Sequence, residues 1–325
     1  MASSLSVLIP TAGDRPDLLA RSLRSLCECE RPAGYHETVV VENGGRHGIE
    51  EAIRPFADTL HVRHLFDPWG NKSNALNRAL ASMRDGLIVL LDDDVRLSKD
   101  CLREYARAAD GSESGFFFGG PTEVDFEAPP PHWLVGCLPA SARGWRLGAR
   151  ESLGDRCFLG FNWAAFLSDL TEAGGFDPQR GPGAAFPGQE TEMQQRLRTR
   201  GVRARYVPGA LVWHYVPRER CTPEWVLKRH YRRSLSNAAL MPPGLRKHCV
   251  TLVKASGRRL AAGLFRCAAL FGSAPMAFRA DLQRTIADGL LAGLRTAPLS
   301  ASETPLANFE GAEDSYWPAR PGKAA

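Results

Sequence analysis

The sequence predicts an α/β fold, with a Rossmann-type, mostly parallel sheet flanked by helices and followed by a helical C-terminal extension. Three observations carry this. Short apolar strands and amphipathic helices alternate over the first 120 residues, the spacing of right-handed β-α-β crossovers. The run Gly86-Leu87-Ile88-Val89-Leu90-Leu91 is apolar throughout, as a strand buried on both faces must be. Directly behind it stand Asp92, Asp93 and Asp94, where an open parallel sheet places its ligands.

The elements follow in order. Residues 6–10 read as a strand and 16–29 as an amphipathic helix. Thr38-Val39-Val40-Val41-Glu42 is the next strand, closed by Asn43-Gly44-Gly45. A short helix over 49–56, a strand over 61–66 and a helix over 72–83 lead to the strand before Asp92. A helix over 99–109 then precedes Gly115-Phe116-Phe117-Phe118-Gly119. Residues 121–157 are rich in Pro, Gly, Trp and charge, which marks a long functional loop or subdomain. Order returns over 157–166, Gly174-Gly175-Phe176-Asp177 forms a turn, and 188–200 a helix. Two short strands flank Pro208-Gly209, the second ending at Trp213-His214. The chain then reads as helical from 222 to about 295. This divides it into an α/β region over 1–220 (halves 1–120 and 121–220), a basic helical extension over 221–295, and a tail over 296–325 expected to be disordered.

Composition narrows the function classes. With 325 residues, 44% of them hydrophobic, one large core or a core plus an appendage is affordable, and nothing suggests a repeat array or collagen. The eight cysteines show no Cys-x-x-Cys or Cys/His zinc spacing, so reduced thiols are expected. The N-terminus lacks a basic n-region, so no signal peptide is expected, and no run is apolar enough to span a bilayer. The net charge of +5 is uneven: 17 Lys/Arg stand against Glu219 and Glu224 between Arg196 and Arg266. Such a block meets an anionic membrane, an anionic substrate or nucleic acid, or is a solvated helix face. The stretch Trp225-Val226-Leu227-Lys228-Arg229-His230-Tyr231-Arg232-Arg233 suits an interfacial helix near anionic lipid, a packed helix or a dimer interface.

Hard oxygen ligands at a strand edge suit Mg²⁺ or Mn²⁺, which suit a diphosphate. Strand alternation points Asp92 and Asp94 one way and Asp93 the other. Lys72 opens a helix, where the dipole already favours anions. Glu190 opens another, as a base or as an acid in the first turn. His214, after Trp213, is a ligand or packing.

In order, Ile9-Pro10-Thr11, Val41-Glu42-Asn43-Gly44, Gly70-Asn71-Lys72-Ser73-Asn74-Ala75-Leu76-Asn77, Leu91-Asp92-Asp93-Asp94, Gly174-Gly175-Phe176-Asp177, Gly188-Gln189-Glu190-Thr191-Glu192 and Trp213-His214 resemble the family 2 glycosyltransferases, inverting nucleotide-sugar enzymes of the GT-A fold. The resemblance covers about residues 4–216 and implies that 1–220 is the catalytic domain, with 1–120 its nucleotide-binding half and 121–220 its acceptor half. It implies a metal-dependent inverting transfer from a nucleoside-diphosphate sugar to a saccharide or lipid-linked acceptor, with Mn²⁺ or Mg²⁺, in polysaccharide, glycolipid or glycan assembly. It implies donor contacts from Pro10, Thr11, Glu42, Lys72 and Asp92, with Asp93 as the motif's spacer among them. Asp94 becomes the metal ligand and His214 a further one. Relatives carry Glu-Asp or Asp-Asp where this chain has Gln189-Glu190, so Glu190 is left as the base. Glu42 stands where relatives more often carry Asp.

Trp163, with Phe161, Trp133 and Trp145, offers flat faces for a sugar ring, and Trp163 is placed at the acceptor edge. Asp177 orients the acceptor or closes its turn. A cytoplasmic enzyme touching the inner face of an anionic membrane is expected, without nucleic acid. Two alternatives stand beside this reading. A degenerate sugar-binding or assembly subunit is motivated by Gln189. A nucleotidyltransferase is disfavoured because Thr11-Ala12-Gly13-Asp14-Arg15-Pro16 is a poor Gly-rich basic loop.

Overall fold

The apolar runs become strands buried on both faces. In the computed structural model, which describes residues 4–148, 151–270 and 272–296, β1 (Leu5–Thr11) is buried along its whole length. Pro16 and Asp17 start α1 (Pro16–Cys27), as proline and an acid favour a first turn, and Leu19, Leu23 and Leu26 form its buried stripe. β2 (Tyr35–Asn43), the short α2 (Glu50–Ile53) and β3 (Val62–Asp67) follow. α3 (Lys72–Leu80) is capped by Asn71, whose side chain accepts from the Asn74 N–H at 3.0 Å. β4 (Leu87–Leu91) is the run before the acids, and β5 (Val95–Leu97) resumes after them. α4 (Cys101–Ala109) leads to β6 (Phe116–Gly119) and β7 (Thr122–Phe126).

The described residues of 121–157 hold, besides β7, only two single-turn helices, α5 (His132–Val135) and α6 (Ala140–Arg143). Then come β8 (Asn162–Phe166), α7 (Leu167–Glu172), α8 (Gln189–Thr199), β9 (Arg203–Tyr206) and β10 (Val212–Val216). The main sheet runs β3-β2-β1-β4-β8-β6-β9. Only β8 is antiparallel to its neighbours β4 and β6; the other pairs are parallel.

Alternation along β1 and β4 divides the core. Leu5, Val7, Ile9, Leu87, Val89 and Leu91 pack with Leu19 and Leu23 of α1 and with Leu102 and Tyr105 of α4. Leu8, Ile88 and Leu90 pack with Leu76 of α3, Leu170 of α7 and Met193 and Leu197 of α8. A three-stranded sheet, β5-β10-β7, pairs His214 with Val95 in antiparallel register. The sequence shows no sign of this pairing, because β5 is too short to have a period.

The chain divides into two units, Met1–Pro130 with Leu138–Arg218, and Pro131–Cys137 with Glu219–Ala325. In the second, α9 (Pro223–Ala239), α10 (Leu245–Ala269) and α11 (Ala274–Arg295) pack with α11 between the other two. Gly289 and Gly293 of α11 allow this: a Cβ at either would lie within 2.5 Å of the Tyr231 or Leu235 carbonyl oxygen. The expected interfacial stretch 225–233 therefore belongs to a packed helix within its unit. Among the described residues, no helix is long and apolar enough to cross a membrane. The tail expected over 296–325 lies, after Thr296, outside the described residues.

Candidate active site

The site assembles at the carboxyl ends of β1 and β4. β4 stops at Leu91, so the three acids lie in the turn to β5, where strand alternation no longer applies. This corrects the expected orientation. Asp92 turns to the Lys72 ammonium, while Asp93 and Asp94 both turn to Arg15. Arg15 donates to Asp93 Oδ1 and to Asp94 Oδ2, each at 3.0 Å. Thr11 donates its hydroxyl to Asp93 Oδ2 at 2.6 Å. The turn is fixed from below by Ser22 of α1, whose hydroxyl donates to the Asp93 and Val95 carbonyls at 2.8 and 2.7 Å.

Asp93 and Asp94 are both buried. Burial, then the neighbouring Asp94 charge, pushes the Asp93 carboxyl up to about 6 against the opposing pull of Arg15 and Thr11. Asp94 Oδ1 is buried and makes no hydrogen bond, and faces His214 Nε2 at 3.5 Å. The His214 ring is stacked on Phe161, with centroids 4.3 Å apart. A carboxylate oxygen and an imidazole nitrogen thus converge in a buried place, brought together by the β5–β10 pairing. This donor set fits a Mn²⁺-type ion.

Lys72 lies nearly buried beside Asp92. Burial works against its charge, but Asp92, with Glu190 and Asp93 beyond it, holds its pKa above the usual lysine value. Lys72, Asp92 and Glu190 line one recess with Pro10, Leu76, Gly160 and Trp163. The recess holds about 10 Å³, room for roughly one water. Gly160 makes space for Glu190: a Cβ there would lie 2.9 Å from Glu190 Cγ.

α3 also ties the later segment to this edge. Asn77 exchanges two hydrogen bonds with the Phe176 backbone (2.7 and 2.8 Å), Ser73 donates to the Arg180 carbonyl at 2.7 Å, and Asn71 donates to that of Pro178 at 2.8 Å. Gly183 rests on the Gly70 carbonyl so closely that a Cβ would lie 1.6 Å from that oxygen.

Three expected residues stand differently. Trp163 is 1% exposed, with its ring edge-on to Phe117 and Phe176. It is a core residue touching the recess, because β8 is inserted between β4 and β6, and it presents no face for stacking a sugar. Glu42 is fully buried. Its Oε1 accepts the His47 N–H at 2.8 Å beside Gly13 of the loop after β1, and its Oε2 faces His64 at 3.4 Å, so the carboxylate is engaged within the protein. Glu42, Glu50 and His64 form a cluster whose ligand atoms lie within 4.8 Å of one another. Asp177 accepts the Gln179 N–H at 2.9 Å and lies 3.4 Å from Arg180, the bonding that closes its turn. Two residues were not foreseen. Arg15 gives only the local signal of a cation in the loop after β1, and Trp69 stands 51% exposed between β3 and α3.

Comparison with known proteins bears on this arrangement. The family described as Glycosyltransferase like family 2 matches residues 2–236. The chain belongs to glycosyltransferase family 2. Within that family it is 25% identical over 306 residues to the succinoglycan biosynthesis protein ExoM of Rhizobium meliloti (strain 1021), covering 86% of this chain and 89% of that protein. It is 23% identical over 243 residues to the chondroitin synthase of Escherichia coli, covering 66% of this chain and 35% of the larger enzyme. Among solved structures, the mannosyltransferase PcManGT from Pyrobaculum calidifontis, in complex with GDP-Man and Mn2+, aligns over 90% of this chain and 88% of its own with a TM-score of 0.57 and 19% identity. That likeness shows the GT-A fold. The family 2 glycosyltransferase is thus an enzyme of sugar transfer, and the nucleotidyltransferase alternative falls away.

Proposed function

We propose that this glycosyltransferase moves a sugar from a nucleoside-diphosphate donor to an acceptor hydroxyl, with inversion and with a divalent metal, in polysaccharide or glycolipid assembly. One observation carries the reading: Asp92–Asp94, Lys72, His214 and Glu190 converge on one edge of the sheet from four separate segments. The ExoM and chondroitin synthase likenesses support polysaccharide assembly, and the acceptor is a saccharide or lipid-linked saccharide.

Asp94 and His214 hold the metal, Mn²⁺ or Mg²⁺, which when bound neutralises charge on the diphosphate leaving group. Arg15 bonds the other Asp94 oxygen, Oδ2, so Oδ1 stays open to the ion, and the guanidinium, matched to phosphate oxygens, stands beside the donor's phosphates. Lys72 and Asp92 hold the nucleoside end, with Pro10 and Thr11 as the floor. Glu190, at the N-terminus of α8, takes the proton of the acceptor hydroxyl as that oxygen attacks the anomeric carbon. Lys72 and the helix N-terminus both favour negative charge there.

Glu190→Gln is expected to retain nucleotide affinity and to lose about 10²–10⁴-fold in transfer rate. Turnover equal to the parent enzyme would reject Glu190 as the base.

A further inference from the structure

Six of the nine exposed large hydrophobic side chains among the described residues stand on α10 and its C-cap: Leu245 (80% exposed), Leu252 (50%), Val253 (73%), Leu260 (69%), Leu264 (67%) and Leu270 (81%). At 100° per residue they are not scattered. Leu245, Cys249, Leu252, Ser256, Leu260, Gly263, Cys267 and Leu270 follow one another at steps of three or four and form an outward ridge without a single charge, with Val253 and Leu264 along the edge it shares with Arg246. Its length is about 37 Å by the rise of an α-helix. α10 uses a different side, through Thr251, Ala255 and Ala262, for its own packing.

The charges lie beside the ridge and are of one sign. α10 contains six Lys/Arg and no Asp or Glu, and residues 219–295 carry fourteen Lys/Arg against four acids. Arg246 flanks one side, while Arg259 and Arg266 flank the other, where they line a groove with Arg284. Two of these are partly compensated, Arg259 by Asp288 at 3.3 Å and Arg266 by Asp281 at 2.7 Å.

An apolar ridge edged by cations matches the boundary of an anionic bilayer, where leucines enter the acyl region and guanidinium groups stay with phosphates. A second copy of the chain would bring like charges together along both flanks, which opposes that occupant. We infer that α10 docks the protein on an anionic membrane surface, lying in the interface plane with Leu252, Leu260 and Leu264 inserted. This moves the membrane contact from the stretch 225–233 to the next helix. It does not depend on the reading of the sugar-transfer site.

The test is co-sedimentation of the full chain with vesicles of phosphatidylcholine alone or of equimolar phosphatidylcholine and phosphatidylglycerol. The parent protein is expected to bind the anionic vesicles, more weakly at high salt, and to bind neutral ones poorly. The variant Leu252→Glu/Leu260→Glu/Leu264→Glu is expected to partition at least about ten-fold less. The milder Leu→Ser triple variant gives the same comparison should the glutamates unfold the helix. Cys249 and Cys267 on the ridge, exposed in the free chain, should react more slowly with a charged maleimide when anionic vesicles are present. Absent vesicle binding, undiminished binding by both variants, or unchanged cysteine reactivity overturns the inference. So does a dimer in light scattering that the variants dissolve while vesicle binding is missing.

Discussion

Among the described residues, Arg15 is the cation that donates to both buried carboxylates of the β4–β5 turn, and Arg15→Met removes it. The guanidinium makes a 3.0 Å bond to each of Asp93 and Asp94. Breaking such a pair with both partners buried costs about 3–5 kcal/mol. Arg15 itself is 34% exposed, so solvent screening reduces this to about 2–3 kcal/mol near pH 7.5. The loss should depend on pH. The Asp93 carboxyl is raised by burial to about 6 from the ordinary 3.8. A raised acid contributes its stability fully below 3.8 and loses it as pH rises through about 6. Without Arg15 the folded value rises further, so the variant's deficit is largest at pH 7.5 and shrinks at pH 5, where Asp93 is protonated. Thermal unfolding followed by circular dichroism in EDTA should show a deficit of about 5 °C at pH 7.5 and less at pH 5. Added Mn²⁺ should narrow it, since the ion replaces the missing positive charge. A variant as stable as the parent at both pH values, or a deficit indifferent to pH, would refute the assignment of Arg15 as counter-ion.

Two further substitutions separate chemistry from stability. Gly160→Ala places a Cβ 2.9 Å from Glu190 Cγ; the side chain is flexible, so the fold should survive while kcat drops about 10–100-fold, and an unaltered kcat contradicts the position given to Glu190. Asn162 accepts from the Tyr105 hydroxyl at 2.7 Å and donates to the Pro121 and Ala210 carbonyls at 2.8 and 3.0 Å. Asn162→Leu strands those buried groups and should cost about 3 kcal/mol or more in urea unfolding; a loss below about 1 kcal/mol would show that water replaces them.

Much of this molecule is legible in one dimension. β4 is a continuous apolar run, β1 and β2 carry the short runs Val7-Leu8-Ile9 and Val39-Val40-Val41, and α1 carries its proline start and leucine stripe, so order and parallel direction follow from local chemistry. The acids after Leu91 are legible as a group for the same reason. Their directions are not. Asp93 and Asp94 point together because the strand has ended and because Arg15, 78 and 79 residues away, draws both. The antiparallel insertion of β8 is likewise invisible locally, and it turns Trp163 from a surface aromatic into core. Glu42 is held by the loop carrying His47 and by His64 on the neighbouring strand, contacts that no periodicity announces. The ridge on α10 escaped because Ser256, Gly263 and the two cysteines dilute its hydrophobicity, while their lack of charge is what makes it continuous.

The proposed donor site is tested most directly by isothermal titration of the full chain with nucleoside diphosphates, with Mn²⁺ and with EDTA, in the parent and in Asp94→Ala. One nucleotide should bind the parent with Mn²⁺, lose most of its affinity in EDTA, and bind Asp94→Ala no better with Mn²⁺ than without. Equal affinity in EDTA, or metal-enhanced binding that survives Asp94→Ala, would contradict a metal-held diphosphate at this turn.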